Sequence, residues 1–265
     1  MNYFVSIENS YQHSWQVELL IQSFKDKGVE DNLCVAVGLD DSMLLHDCKN
    51  LSKHSNKFYF KKIHQSLSFN KWYSLLMMMK NKKEVFPLTV LNPHNIFCRD
   101  ISVDDNNMVC SEDYLFTHDI VRDLNLEEDF KKNWIKIGNT IVFNNLPISF
   151  FEDVLSYVKC FLDKKEFSGI DSAALNLSIW KNHSVFSGGI ASSPYLIEST
   201  MFDNVIKNII NYDHGIQPSF NKIWFGKNDF SMHPDKPIVC LSKIRHTRCA
   251  DFIADIAKNY LNDDI

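Results

Sequence analysis

A chain of 265 residues, 45% hydrophobic and 13% aromatic, holds enough apolar material to bury one large core or two small ones, and one is the economical reading. Its formal net charge of -5 gives no basic balance that would advertise a polyanion, although a local basic patch on an acidic protein can still dock phosphates. No apolar stretch approaches the roughly 20 residues that a bilayer span needs, and Met1 to Ser10 has no basic lead of the signal-peptide kind. The cysteines Cys34, Cys48, Cys98, Cys110, Cys160, Cys240 and Cys249 are odd in number and scattered, with no CxxC pair. They are expected to be reduced and mostly buried, as in a cytoplasmic protein with no membrane partner.

In chain order, Tyr3 to Ile7 reads as a strand and Trp15 to Lys27 as a helix, with Val17, Leu20, Ile21 and Phe24 along one apolar face. A strand follows at Leu33 to Leu39, then the polar segment Asp40 to Ser42 and a weaker strand at Lys57 to Lys61. Asn70 to Asn81 reads as a helix and Phe86 to Leu91 as a strongly apolar strand. This alternation predicts a single α/β domain with a mainly parallel sheet and right-handed crossovers, flanked by helices. In the second half, strands are predicted at Met108 to Ser111 and Ile135 to Phe143. Helices are predicted at Ser149 to Leu162, Ser172 to Lys181 and Cys249 to Leu261. Segments around Pro194, Pro218, Pro234 and Pro237 read as surface connections able to cover a cleft.

Open parallel sheets bind ligands beyond the carboxyl ends of their strands. That rule nominates Ser6 to Asn9, Leu39 to Ser42 and Asn92 to Asn95. In the last of these a buried strand runs into Asn92, Pro93 and His94 and then resumes with Ile96 and Phe97 before Arg99. Polar side chains are thus offered at a strand-to-loop edge. Asp171 opens a predicted helix that runs on to Asn176, where an N-capping role would explain it without function. Asp40 and Asp41 suit either base or ribose hydroxyls or a solvated turn. Phe58, Tyr59, Phe60, Trp72 and Tyr73 suit core better than a stacking platform. Lys243, Arg245, His246 and Arg248 form a local basic cluster, which suits a solvated face or an acceptor's phosphate backbone.

The stretch from Leu88 to Arg99 resembles the GT-A glycosyltransferase strand that carries an Asp-x-Asp or Glu-Pro-Asp motif followed by an apolar-aromatic-x-Arg tail. Other pieces agree in the same order. Tyr11 to Gln16 with Leu19, Leu20, Ser23, Phe24 and Lys25 is similar to the opening helix of plant hydroxyproline O-arabinosyltransferases and serine O-galactosyltransferases. Asn70, Lys71, Tyr73 and Leu75 resemble their Asn-Lys-Pro-Tyr helix start. Ile137 to Thr140 resembles their Ile-Gly-Asn-Ser segment, and Tyr212 to Pro218 their late His-containing loop. The matches run from Gln12 to about Pro218.

The resemblance implies one GT-A-like domain over 1–265, with a nucleotide-binding half at 1–100 and an acceptor-side half at 101–265. It implies a UDP-sugar donor held by Ser6, Glu8, Asp40, Asn70, Lys71, Asn92, Arg99 and Asn139, with Asp171 and His94 in catalytic positions. Where the family places metal-holding carboxylates, this chain has Asn92 and His94. Manganese could accept His94 and His214; otherwise Lys71, Arg99 or other basic side chains would neutralise the diphosphate. The plant relatives imply a UDP-pentose such as UDP-arabinose. A composition rich in Asn, Lys, Ile and Phe suggests an AT-rich genome such as a bacteriophage's. The acceptor expectation is then 5-hydroxymethylcytosine in double-stranded DNA, reached by Lys243, Arg245 and Arg248 in the cytoplasm of an infected bacterial host. A glycan or protein hydroxyl, and a GT-A-fold protein that binds without catalysing, remain the alternatives.

Overall fold

The structure, a computed structural model, describes residues 1–8, 11–39, 48–82, 84–97, 99–101, 106–110, 134, 135, 137, 140–164, 169–186, 188–192, 198–200 and 238–240. The first β-α-β-α-β run comprises β1 (Asn2–Glu8), α1 (Tyr11–Lys25), β2 (Leu33–Leu39), the short α2 (Lys49–Lys53), β3 (Lys57–Lys61), α3 (Leu67–Asn81) and β4 (Leu88–Leu91). Then come β5 (Asn95–Phe97), β6 (Met108–Cys110), β7 (Ile141–Phe143), α4 (Ile148–Lys164), α5 (Ile170–Lys181), β8 (Ile190–Ser192), β9 (Glu198–Thr200) and β10 (Ile238–Cys240).

A seven-stranded sheet runs in the order β3-β2-β1-β4-β7-β6-β8. β1 pairs in parallel with both β2 and β4, and β3 with β2, whereas β7 is antiparallel between β4 and β6. β5, β10 and β9 make a separate three-stranded sheet. The expected α/β architecture, mainly parallel and flanked by helices, is the one observed.

Burial on both faces explains the near-continuous apolar strands. Tyr3, Val5 and Ile7 alternate onto one face with Val17, Leu20, Ile21 and Phe24 of α1. Phe4, Cys34, Ala36 and Val90 point to the other, against Trp72, Leu75 and Met79 of α3 and the apolar sides of α4 and α5. α1 ends in a Schellman turn: the Val29 N–H bonds the Phe24 carbonyl at 3.1 Å and the Gly28 N–H that of Lys25 at 2.8 Å. Gly28, at φ 67°, takes the left-handed position that the motif requires.

Several boundaries differ from expectation. α1 and α3 begin earlier, at Tyr11 and Leu67. β4 begins at Leu88, after Pro87, which has no N–H to give a ladder. β7 is confined to Ile141–Phe143 because the Asn176 carboxamide takes both peptide groups of Ile135, accepting from its N–H at 2.7 Å and donating to its carbonyl at 2.8 Å. Cys34, Cys48 and Cys110 are buried but Cys160 is exposed, and the aromatic set divides similarly, with Trp72 and Phe60 buried and Tyr59 exposed. The predicted helix at Cys249 to Leu261 lies outside the described residues. Among those residues, no helix is long and apolar enough to cross a membrane.

Candidate functional site

β1 outruns β4, so at the carboxyl edge its last residues pair with β2 on one side and are left open by β4 on the other. Val5 pairs with Leu91, the end of β4, so Asn92 follows beside Ser6 and Glu8 lies beyond both. By strand alternation Ser6 and Glu8 share the face of Phe4, on which α3 packs. α3 starts at this same edge.

Glu8 is held from two sides. Its Oε2 pairs with the Lys62 ammonium at 3.0 Å and its Oε1 accepts from Asn70 Nδ2 at 2.9 Å. Asn70 is 1% exposed; it also donates to the His64 carbonyl at 2.6 Å, and its Oδ1 accepts from the Ile63 N–H at 3.3 Å. Its carboxamide is thus committed to Glu8 and the β3–α3 connection. Asn70 lies at the edge where a donor contact is expected of it, with its amide on Glu8. Gly38 sits opposite Glu8 in the β1–β2 register, and a Cβ there would come within 3.1 Å of Lys62 Cγ and Phe60 Cζ. Its missing side chain leaves the path for Lys62 to reach Glu8.

One turn further along α3 the cluster continues. The Ser6 and Ser74 hydroxyls lie 3.1 Å apart, and Ser74 Oγ is 3.0 Å from the Lys71 carbonyl. The Lys71 ammonium pairs with Asp171 Oδ2, and Trp72 Nε1 donates to Asp171 Oδ1 at 2.8 Å. The Lys71 and Asp171 side chains keep 15% and 28% of their exposure, so the pair is held yet reachable. This corrects the capping expectation for Asp171. The N-cap position of α5 is Gly169, at φ 86°, and Asp171 sits in the first helical turn with both carboxylate oxygens turned to α3. An acidic residue in a first helical turn also suits the helix dipole.

Beyond β4, Asn92 to Asn95 close a tight turn. The Asn95 N–H bonds the Asn92 carbonyl at 3.0 Å, and Asn95 Oδ1 accepts from the Asn92 N–H at 2.6 Å. Asn95 is 1% exposed, and its Nδ2 meets no acceptor among the described residues. This turn does not suit a hard divalent cation: it offers an imidazole and carboxamides but no carboxylate, and the buried group it leaves open is an N–H donor. Among the described residues, no three His, Cys, Asp or Glu side chains converge as a metal site.

The structure therefore brings together Ser6, Glu8, Asn70, Lys71, Asn92 and Asp171, with His94 in the adjoining turn. Arg99 stands apart, next to Asp100, whose carboxylate accepts from the Tyr3 hydroxyl at 2.9 Å near the start of β1. Asp40, Asn139, His214, Lys243, Arg245 and Arg248 lie outside the described residues. Sequence reasoning missed Lys62, Ser74, Trp72 as a ligand of Asp171, and Gly38; it nominated Asn92 to Asn95 as a segment without giving Asn95 a role of its own. The lysine just past β3 and the glycine just before the end of β2 carried a signal in their strand-end positions; Trp72 carried none beyond apolarity.

No protein family matches the sequence, and no curated protein matches it. Solved structures do. The galactosyltransferase LgtC, in complex with donor and acceptor sugar analogs, aligns with a TM-score of 0.50 at 12% identity, over 99% of this chain and 96% of that one. An active-site mutant of LgtC aligns with a TM-score of 0.52 at 11% identity, over the same shares of the two chains. The chain has the GT-A-like α/β fold of these glycosyltransferases.

Proposed function

We propose that this chain transfers a sugar from a nucleoside diphosphate donor to a hydroxyl acceptor at the carboxyl edge of β1 and β4. The observation that carries this is the convergence there of Glu8 with Lys62 and of Asp171 with Lys71 and Trp72, at the sheet edge where an open α/β fold takes its ligands. Glu8 is placed to accept from a base or ribose hydroxyl, held in aim by Asn70 and Lys62. Breaking the bond from sugar to diphosphate puts negative charge on the leaving group, and the work of the site is to meet that charge. Lys71 is the positive group at hand. Asp171, fixed by two donors, faces the developing positive charge on the sugar, and His94 adds a donor from the turn.

A UDP-pentose is the donor proposed, on the resemblance to the plant arabinosyltransferases, and 5-hydroxymethylcytosine in phage DNA is the acceptor proposed, with a glycan or protein hydroxyl behind it. A second reading, a domain that binds UDP without catalysing, is favoured by the Asn92 and His94 substitutions in the motif. Incubation with a panel of UDP-sugars separates the two. Release of UDP is expected, fastest with a pentose donor; UDP binding without release would leave the binding-only reading. Hydroxymethylcytosine-containing duplex should gain one pentose mass per modified base on digestion and mass spectrometry. No added sugar from any donor would move the glycan or protein acceptor ahead.

A further inference from the structure

We propose that the turn after β4 takes the donor's diphosphate directly, by hydrogen-bond donation from the Asn95 carboxamide, so that donor binding needs no divalent cation. This deepens the donor reading above and rests on it. The orientation of the Asn95 carboxamide is fixed, because its Oδ1 accepts from the Asn92 N–H at 2.6 Å. The group left facing inward is therefore the Nδ2 amide, in a side chain 1% exposed and with no acceptor among the described residues. A buried donor without an acceptor is costly, and folded proteins seldom keep one without a use. A phosphate oxygen satisfies it, whereas a cation meets the positive end of the N–H dipole and is repelled.

The position agrees with the polarity. The turn leaves β4 beside Ser6, whose hydroxyl leads through Ser74 to the Lys71 carbonyl, so α3 at Lys71 and the turn flank the same strand end, with the Lys71 ammonium held at Asp171. A diphosphate lying across that end would meet the α3 side of the site, where Lys71 stands, on one flank and the neutral Asn95 N–H donor on the other. Such a site replaces a carboxylate-bound cation with groups that carry no negative charge of their own, so nothing in the turn needs a cation to offset it.

The test is calorimetric titration of the full chain with UDP, in excess EDTA and again with Mn2+. The wild-type dissociation constant is expected to agree between the two within about threefold. Asn95→Asp keeps the oxygen that accepts from the Asn92 N–H, and so keeps the turn, but replaces the inward donor with a charged oxygen. It should bind UDP about tenfold or more weakly in EDTA and recover when Mn2+ is added. Wild-type binding that requires Mn2+ would overturn the inference while leaving the donor reading intact. So would Asn95→Asp binding as wild type does in EDTA. If the variant does not fold by circular dichroism, the wild-type comparison alone decides. Failure of UDP, UDP-galactose and UDP-arabinose to bind under either condition would remove the donor reading, and this inference with it.

Discussion

At the scale of single residues, the site is a set of side chains whose aim depends on a neighbour. Asp171 is held by Lys71 and by Trp72 Nε1, so Asp171→Asn keeps the shape and loses the ion pair. UDP release is expected to fall by about a hundredfold or more, as for a lost charge-stabilising group, with little change in melting temperature. An unchanged rate in the folded variant would remove Asp171 from the reaction. His94→Ala should slow release by about tenfold or more, also without unfolding the chain. Gly38 is required by a close approach, since a Cβ would sit 3.1 Å from both Lys62 Cγ and Phe60 Cζ. Gly38→Ala should cost about 1 to 2 kcal/mol in denaturant titration and raise the KM for donor, as the Lys62 stem is pushed away from Glu8.

At the scale of elements, the short α2 is tied to α1, and the residue after it to the sheet, through two buried titratable groups. Both carboxylate oxygens of Glu18, on α1, accept from the first N–H groups of α2, those of Asn50 and Leu51, each at 2.7 Å. His54 Nε2–H donates to the Leu33 carbonyl at 2.8 Å. Burial, with Lys57 and Lys25 nearby, holds the His54 imidazole below its ordinary value of 6.5. As pH falls below about 6.5, the unfolded chain takes up a proton that the native one resists, so stability falls until the native imidazole titrates too. Burial raises Glu18 above its ordinary value of 4.5, which has the opposite sign and favours the native state as pH falls. The two are separated by a variant. His54→Gln retains an N–H donor and cannot titrate, so its melting temperature relative to wild type should rise as pH is lowered from 7 toward 5.5. Parallel curves for the two proteins would exclude His54 as the source.

At the scale of the whole molecule, a net charge of -5 sets the condition for a DNA acceptor. Positive charge must be gathered locally, and Lys243, Arg245 and Arg248 are the cluster proposed for it. If the three neutralise three phosphates, DNA affinity should drop about 40-fold between about 50 and 200 mM salt. Their joint change to Ala should flatten that slope and slow transfer to DNA more than donor hydrolysis. An equal slowing of both would move the cluster from acceptor binding to general stability. A base within a duplex must also be brought out of the stack or met at a groove edge, and binding to mismatched and paired hydroxymethylcytosine would distinguish the two.

The sequence by itself determined the α/β class with its mainly parallel sheet, and it nominated the carboxyl edge and the residues proposed for the site there. Strand alternation and helical spacing are local properties, and a parallel sheet that binds ligands past its carboxyl ends follows from their order. It located β2 and β3 to the residue, because each is a run of strand-forming residues bounded by polar sequence. The tertiary structure alone decided what each polar residue is for. Asp171 looked like a cap because capping is a local function. Only the tertiary fold, which brings the first turn of α5 to Lys71 and Trp72 of α3 across 100 residues of chain, turned its carboxylate to a lysine and an indole. At Asn70 only the fold showed that the carboxamide closes the β3–α3 connection and holds Glu8. Asn95 fell within the nominated segment Asn92 to Asn95, but its role did not show there, because an amide left without an acceptor can be recognised only once the groups around it have taken their places.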